Sequence, residues 1–175
     1  RQVVANINRP LVLFTPKSGL RAKHTRSPIS ELMSGSFKPV ISDDATTAIH
    51  RSVGVTRVLA ASGKVATELI QHRDKTERWD VAIVKVEQLN PWPGEELARA
   101  VSTYPSATEL VWVQEEPANM GAWNAVKGYL FEQFEPRQRV VRLSRSPSGS
   151  PATGSAAIHA QEQQQLITSA FVDLD

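Results

Sequence analysis

Short apolar runs alternate along the chain with longer stretches in which apolar residues recur every three or four positions. The runs at 11–14, 58–61, 81–84 with Val86, 110–113 and 140–143 are rich in Val, Leu and Ile, and they predict buried strands. Between them, Val65, Leu69 and His72 keep helical spacing, as do Leu97, Ala98, Val101 and Tyr104, and then Trp123, Val126, Leu130, Phe131 and Phe134. A last helix carries Ile158, Leu166, Ile167, Ala170 and Phe171. Strand followed by helix, repeated, implies right-handed crossovers and a parallel or mostly parallel sheet covered on both faces. The 81–86 segment is apolar on both faces and is expected in the middle of that sheet.

Punctuation residues set the boundaries. Ser27-Pro28 opens a helix holding Ile29, Leu32 and Met33 that stops at Gly35. Residues 37–41 read as a short edge strand and 42–54 as a polar surface loop. Pro91 and Pro93 break the chain, and Glu95 and Glu96 then open a helix, where the macrodipole favours carboxylates. The strand 110–113 is expected to end abruptly at Gln114-Glu115-Glu116, with Pro117 blocking its continuation and Asn119 capping a helix that starts near Gly121. Residues 144–155, rich in Ser, Pro and Gly, read as a loop.

A chain of 175 residues with 41% hydrophobic composition suffices for one domain with a real core. Residues 1–8 read as a linker belonging to something longer, and 9–175 as a single domain. Twenty Lys and Arg against eighteen Asp and Glu leave a formal charge of +2, which argues against a dedicated nucleic-acid binder. The absence of cysteine excludes disulfides, a thiolate nucleophile and a thiolate metal site, and it fits a reducing, cytoplasmic setting. No apolar run approaches a membrane span, so no membrane partner is expected.

In an open α/β sheet the functional edge is the one at the carboxyl ends of the strands. Those ends carry Thr15-Pro16-Lys17, Ser62-Gly63-Lys64, Glu87-Gln88, Gln114-Glu115-Glu116 and Ser144-Arg145. The expectation is one polar cluster on that edge, holding Lys17, Lys64, Glu87, Glu115, Glu116, Asn119, Arg145 and His159 in an interface or ion-pair role. The competing reading is that strand-to-helix turns attract Ser, Gly and Pro anyway and that the charges merely neutralise each other. No catalytic residue is assigned. Glu115 and Glu116 point to opposite sides of an extended chain, which makes them a poor acid/base pair. Neither a dinucleotide fingerprint nor a phosphate-binding loop occurs, and Ser62-Gly63-Lys64 is only a weak anion candidate at a helix start. The four histidines, His24, His50, His72 and His159, are scattered, so no metal site is expected.

Several of these motifs, in order, resemble the C-terminal domain of 2-oxoglutarate dehydrogenase, the thiamine-diphosphate-dependent, succinyl-transferring first component of its complex. They are Arg9-Pro-Leu-Val-Leu-Phe-Thr-Pro-Lys-Ser18 with Leu20-Arg21, Ser62-Gly-Lys64, Asp80-Val-Ala-Ile-Val84, and Val86-Glu-Gln-Leu89. Trp112 with Gln114-Glu-Glu-Pro117, Gly121-Ala-Trp123, and Ser150-Pro-Ala-Thr-Gly154 with His159 and Glu162-Gln163 complete the set, which runs to about Phe171. The run Val113-Gln-Glu-Glu-Pro-Ala-Asn119 looks most like actinobacterial members. The resemblance implies a three-layer α/β/α transketolase C-terminal-like domain with a mostly parallel sheet and one antiparallel edge strand. It further implies a structural, dimer-forming domain of a tricarboxylic acid cycle enzyme. The implied partners are the remaining domains of the same enzyme, a second copy in a homodimer, and the lipoyl acyltransferase component. Thiamine diphosphate and magnesium would serve the full enzyme and none would be held by this chain, which lacks the Gly-Asp-Gly motif. Gly19, where the family has a larger apolar residue, and the basic 22–26 segment depart from the pattern. The alternatives are the same domain of another thiamine-dependent ketoacid dehydrogenase or transketolase relative, or a free-standing binding module using Arg137, Arg139, Arg142 and Arg145.

The resemblance also implies an effector site, because actinobacterial relatives bind acetyl-CoA on this domain. Only Gln88 matches the residues that do so. Ser36 and Pro39 replace a lysine and a serine, and Glu95 and Glu96 replace paired arginines. Two negative charges where a polyanion would lie reverse the local field, so the site is expected to be vestigial.

Overall fold

A computed structural model describes residues 5–6, 8–43 and 54–173, in two compact units, Arg1–Gly35 and Ser36–Asp175. The expected loop at 42–54 thus lies largely outside the described residues.

In the first unit the apolar run 11–14 forms no strand. Leu11, Val12 and Leu13 are all exposed, and Phe14 is 95% exposed. An apolar run becomes a strand only where a neighbour supplies ladder partners and a buried face; these residues have neither within their unit. Two 3-10 turns follow, Lys17–Gly19 and Lys23–Thr25, tied together by the Thr25 hydroxyl, which donates to the carbonyls of Gly19 (2.7 Å) and Ala22 (2.9 Å). Helix α1, Ile29–Met33, starts after Pro28 as expected, but Ile29, Leu32 and Met33 are exposed. Gly35, at φ +131°, takes a conformation suited to glycine just past its end.

The second unit is a five-stranded sheet in the order β1-β3-β2-β4-β5, made of β1 (Val40–Ile41), β2 (Arg57–Ala61), β3 (Val81–Val86), β4 (Glu109–Pro117) and β5 (Arg139–Arg145). All pairings are parallel except β1 with β3, so the antiparallel edge strand is present. β3 is interior, while β2 is the middle strand. Side chains alternate across the sheet, as the two-residue period of a strand requires. Val58, Ala60, Ala82, Val84, Leu110 and Trp112 pack on one face against helices α3 (Gly94–Ser102) and α4 (Trp123–Phe134). Leu59, Ala61, Val81, Ile83, Val111 and Val113 pack on the other against α2 (Lys64–Thr76) and α5 (Ala156–Ser169). The architecture is therefore three-layer α/β/α. Each fully buried Leu, Val or Ile contributes roughly 1.5–3 kcal/mol relative to exposure. Ile158 is the exception on α5: it falls in the exposed first turn.

Two ends of the sheet are fixed by buried arginines. Arg57 donates to Glu109 (2.7 Å) and to the carbonyls of Ala170 (3.2 Å) and Val172 (2.5 Å), and Arg78 donates to the carbonyl of Phe171. Arg57, which is buried, and the partly exposed Arg78 thus satisfy carbonyls of the segment just past the end of α5. On the other side of the sheet order, Arg73 of α2 pairs with Asp43 at 2.5 Å, and Asp43 also accepts from the Ile83 amide at 2.8 Å. Burial pushes the Asp43 carboxyl up, and Arg73 opposes that shift.

Candidate functional site: the carboxyl edge of the sheet

β2, β3, β4 and β5 run parallel, so their carboxyl ends share one edge. At the end of β2, Gly63 turns the chain at φ +74°, and Lys64 becomes the first residue of α2. One helical turn on, Glu68 accepts a hydrogen bond from the Lys64 ammonium at 2.6 Å. The same ammonium lies 3.4 Å from Glu115 on β4. Burial works to lower the Lys64 ammonium, but hydrogen bonding and charge from Glu68 and Glu115 outweigh it and hold the group above its ordinary value.

Gln163 of α5 closes the network. Its amide nitrogen donates to Glu68 (2.6 Å) and Glu115 (3.2 Å), while its carbonyl oxygen accepts from Arg145 Nη2 (2.6 Å). Arg145 Nη1 lies 3.2 Å from His159 Nδ1 and 3.5 Å from Glu162. An arginine nitrogen can only donate, so in this contact Nδ1 of His159 is the acceptor. Two cations, Lys64 and Arg145, thus face three carboxylates, Glu68, Glu115 and Glu162, around one buried amide.

Of the eight residues expected to cluster, Lys64, Glu115, Arg145 and His159 come together here. Glu87 and Glu116 are exposed at the same edge and, among the described residues, make no ion pair. Glu116 neighbours Glu115 on an extended strand and so faces the other side. Lys17 sits in the 3-10 turn of the first unit. Asn119 does not cap α4, whose N-cap position is Ala122. It clamps loop 146–153 instead, donating to the Ser148 carbonyl at 2.9 Å and accepting from the Ser148 amide at 3.1 Å. The expected stop of β4 at Gln114 is also corrected: the strand runs on to Pro117, with a register shift against β5 between Val113 and Pro117.

Gln114 explains that continuation. It is buried, its carbonyl accepts from Trp112 Nε1 (3.2 Å) and the Trp123 amide (2.9 Å), and its amide donates to the carbonyls of Pro117 (3.2 Å) and Met120 (2.7 Å). One side chain supplies the partners that a turn of non-repeating backbone needs. Sequence reasoning assigned no network role to Glu68 and named Gln163 only within a motif. The four-residue spacing of Lys64 and Glu68 was the available signal for the first.

The residues matched to an effector site lie apart from this network. The Gln88 amide donates to the Pro91 carbonyl at 2.7 Å. Glu95 and Glu96 stand in the first turn of α3, and Glu96 lies 3.6 Å from Arg99. The arginines weighed for nucleic-acid binding are largely engaged by the chain itself. Arg139 pairs with Glu109 at 3.3 Å, Arg142 lies 5.8 Å over the Trp123 ring, and Arg145 is in the network. Among the described residues no group of three or more His, Asp or Glu side chains is placed to hold a metal, and no helix is long and apolar enough to cross a membrane.

The fold and this edge define a three-layer α/β/α domain with a polar network at the carboxyl ends of its strands. The family model described as 2-oxoglutarate dehydrogenase C-terminal matches residues 26–171, and the chain belongs to that family. It is 40% identical over 174 residues to the 2-oxoglutarate dehydrogenase E1 component of Cupriavidus necator, covering 99% of this chain and 18% of that protein. The multifunctional 2-oxoglutarate metabolism enzyme of Mycobacterium sp. (strain JLS) is 40% identical over 98% of this chain and 14% of its own length. The E1 component of Bacillus licheniformis is 39% identical over 93% of this chain and 17% of its own length. The chain spans less than a fifth of the length of these curated relatives.

Proposed function

We propose that this chain is the structural and docking domain of a cytoplasmic 2-oxoglutarate dehydrogenase. That enzyme oxidatively decarboxylates 2-oxoglutarate and passes the succinyl group to the lipoyl arm of its acyltransferase partner. The observation that carries the docking role is the exposed apolar set of the first unit, Leu11, Val12, Leu13, Phe14, Leu32 and Met33. Large apolar side chains exposed in this number fit an interface. Its cover in this reading is another domain of the same enzyme, within a homodimer.

The donor set does not fit thiamine diphosphate with magnesium. Magnesium takes oxygen ligands in octahedral array, usually one or two carboxylates together with phosphate oxygens and water. At the sheet's carboxyl edge, Glu68, Glu115 and Glu162 are instead matched to Lys64, Gln163 and Arg145. The reading therefore gives the chain no step of the decarboxylation.

Phe14→Asp with Leu32→Asp in the full-length enzyme tests the docking role. The expected result is dissociation of the dimer or loss of activity, with far-ultraviolet dichroism of the 175-residue chain unchanged by the same pair. A double variant that stays dimeric and fully active would refute it.

A further inference from the structure

Between loop 146–153, the end of β5 and the outer face of α5 lies a cavity of ≈ 430 Å³, within the size range of small-molecule sites. Its floor is apolar, formed by Pro117, Leu143 and Leu166, and hydroxyls of Ser146, Ser148 and Ser169 stand around it. Two charged residues line it, Arg145 and Glu162.

Arg145 is the unusual member. Its side chain is 10% exposed, and its Nε is buried with no hydrogen-bond partner. The close acceptors of its other nitrogens are not carboxylates but the Gln163 amide at 2.6 Å and the His159 ring at 3.2 Å. The nearest carboxylate, Glu162, is 3.5 Å away, with 38% of its side chain exposed. A buried guanidinium is stable only when paired and fully hydrogen-bonded. This one has incomplete neutralisation beside an open, hydroxyl-lined space. The loop over it is held in place by the two-way clamp of Asn119 on Ser148 and by the Ser150 amide donating to the Ser148 hydroxyl at 3.1 Å. The cavity is thus preformed, and little ordering is needed to fill it.

We propose that this cavity is a binding site for a small molecule that presents an oxyanion, carboxylate or phosphate, on a short apolar body. The oxyanion takes the place of the Glu162 carboxylate at Arg145 Nη1, the serine hydroxyls donate to its remaining oxygens, and the apolar body lies on Leu143 and Leu166. Glu162 is then a competitor. It can swing into solvent, and the ligand must displace it.

That competition gives the site a signature of opposite signs. Calorimetric and amide-resonance titrations of the 175-residue chain at constant ionic strength would use inorganic phosphate and butyrate as separate probes. Saturable binding of at least one probe is expected, tighter in Glu162→Gln. In Arg145→Lys, which keeps the charge but loses the planar fork, affinity should fall roughly tenfold or more. Phosphate alone or butyrate alone would identify which oxyanion the site takes. Glu162 is half-exposed, so its variant reports even where Arg145→Lys fails to fold. Failure of both probes to saturate in wild type and in Glu162→Gln would overturn the proposal, as would binding that Glu162→Gln leaves unchanged.

Discussion

Arg145 at the end of β5 and Gln163 in the middle of α5 are joined by a 2.6 Å hydrogen bond from Nη2 to Oε1, and the same amide reaches back to Glu68 and Glu115. One neutral side chain thus mediates between a buried cation and two carboxylates. Gln163→Leu would remove every one of these contacts at once while keeping volume. Leaving charged groups unpaired costs several kcal/mol per buried pair, but Glu68 and Glu115 are partly solvated, so a loss of about 2–3 kcal/mol is expected. Urea unfolding checks it; a midpoint within error of wild type would show that the network is incidental.

Gly121→Ala should be more damaging than a surface glycine replacement. Gly121 has φ +69°, and an added Cβ would stand 2.8 Å from Gln114 Nε2 and 3.0 Å from Glu116 Cβ. Strain at positive φ and displacement of Gln114 from its hydrogen-bond partners both oppose the folded state, by about 1–3 kcal/mol together. Gly128→Ala, where an added Cβ meets nothing within 4 Å, is the control and should be neutral or stabilising.

The alternation of strands and helices is legible in the sequence from periodicity, and Lys64, Glu115 and Arg145 are legible as polar residues just after apolar runs. The antiparallel direction of the edge strand comes only from the family resemblance, and His159 from its place at the start of the last helix. What was missed depends on side chains reaching over distance. Gln114 reads as a strand terminator because it is polar, yet buried between two tryptophans it makes the strand's continuation possible. Asn119 reads as a cap because Asn favours caps, but loop 146–153 offers it both a donor and an acceptor. The run 11–14 reads as a core strand because composition cannot say whether the covering surface belongs to the same unit.

His72 gives stability a dependence on pH. Its ring packs 4.9 Å from the Phe171 ring, and burial, with the charges of Lys75 and Arg78, lowers its pKa from the ordinary value of 6.5. A lowered folded-state value means the unfolded chain binds the proton more readily, so this contribution is present above pH 6.5 and is lost as pH falls through the folded value. His72→Phe should flatten the stability profile from pH 7 downward, measured by thermal melts in steps of pH. An unchanged slope would show that the ring is already solvated.

Acetyl-CoA is expected to bind the full-length enzyme weakly or not at all. Glu95 and Glu96 occupy the first turn of α3, where a phosphate would otherwise be favoured, and the Gln88 amide is engaged by Pro91. Glu95→Arg with Glu96→Arg should raise affinity in a salt-dependent way, read by titration at low and high salt. Tight wild-type binding at a site touching Glu95 would refute the vestigial reading.

Calorimetric titration of thiamine diphosphate with magnesium into the 175-residue chain tests most directly whether this domain docks and supports a thiamine enzyme without holding its cofactor. No saturable heat is the predicted result, and binding in the micromolar range would contradict the account.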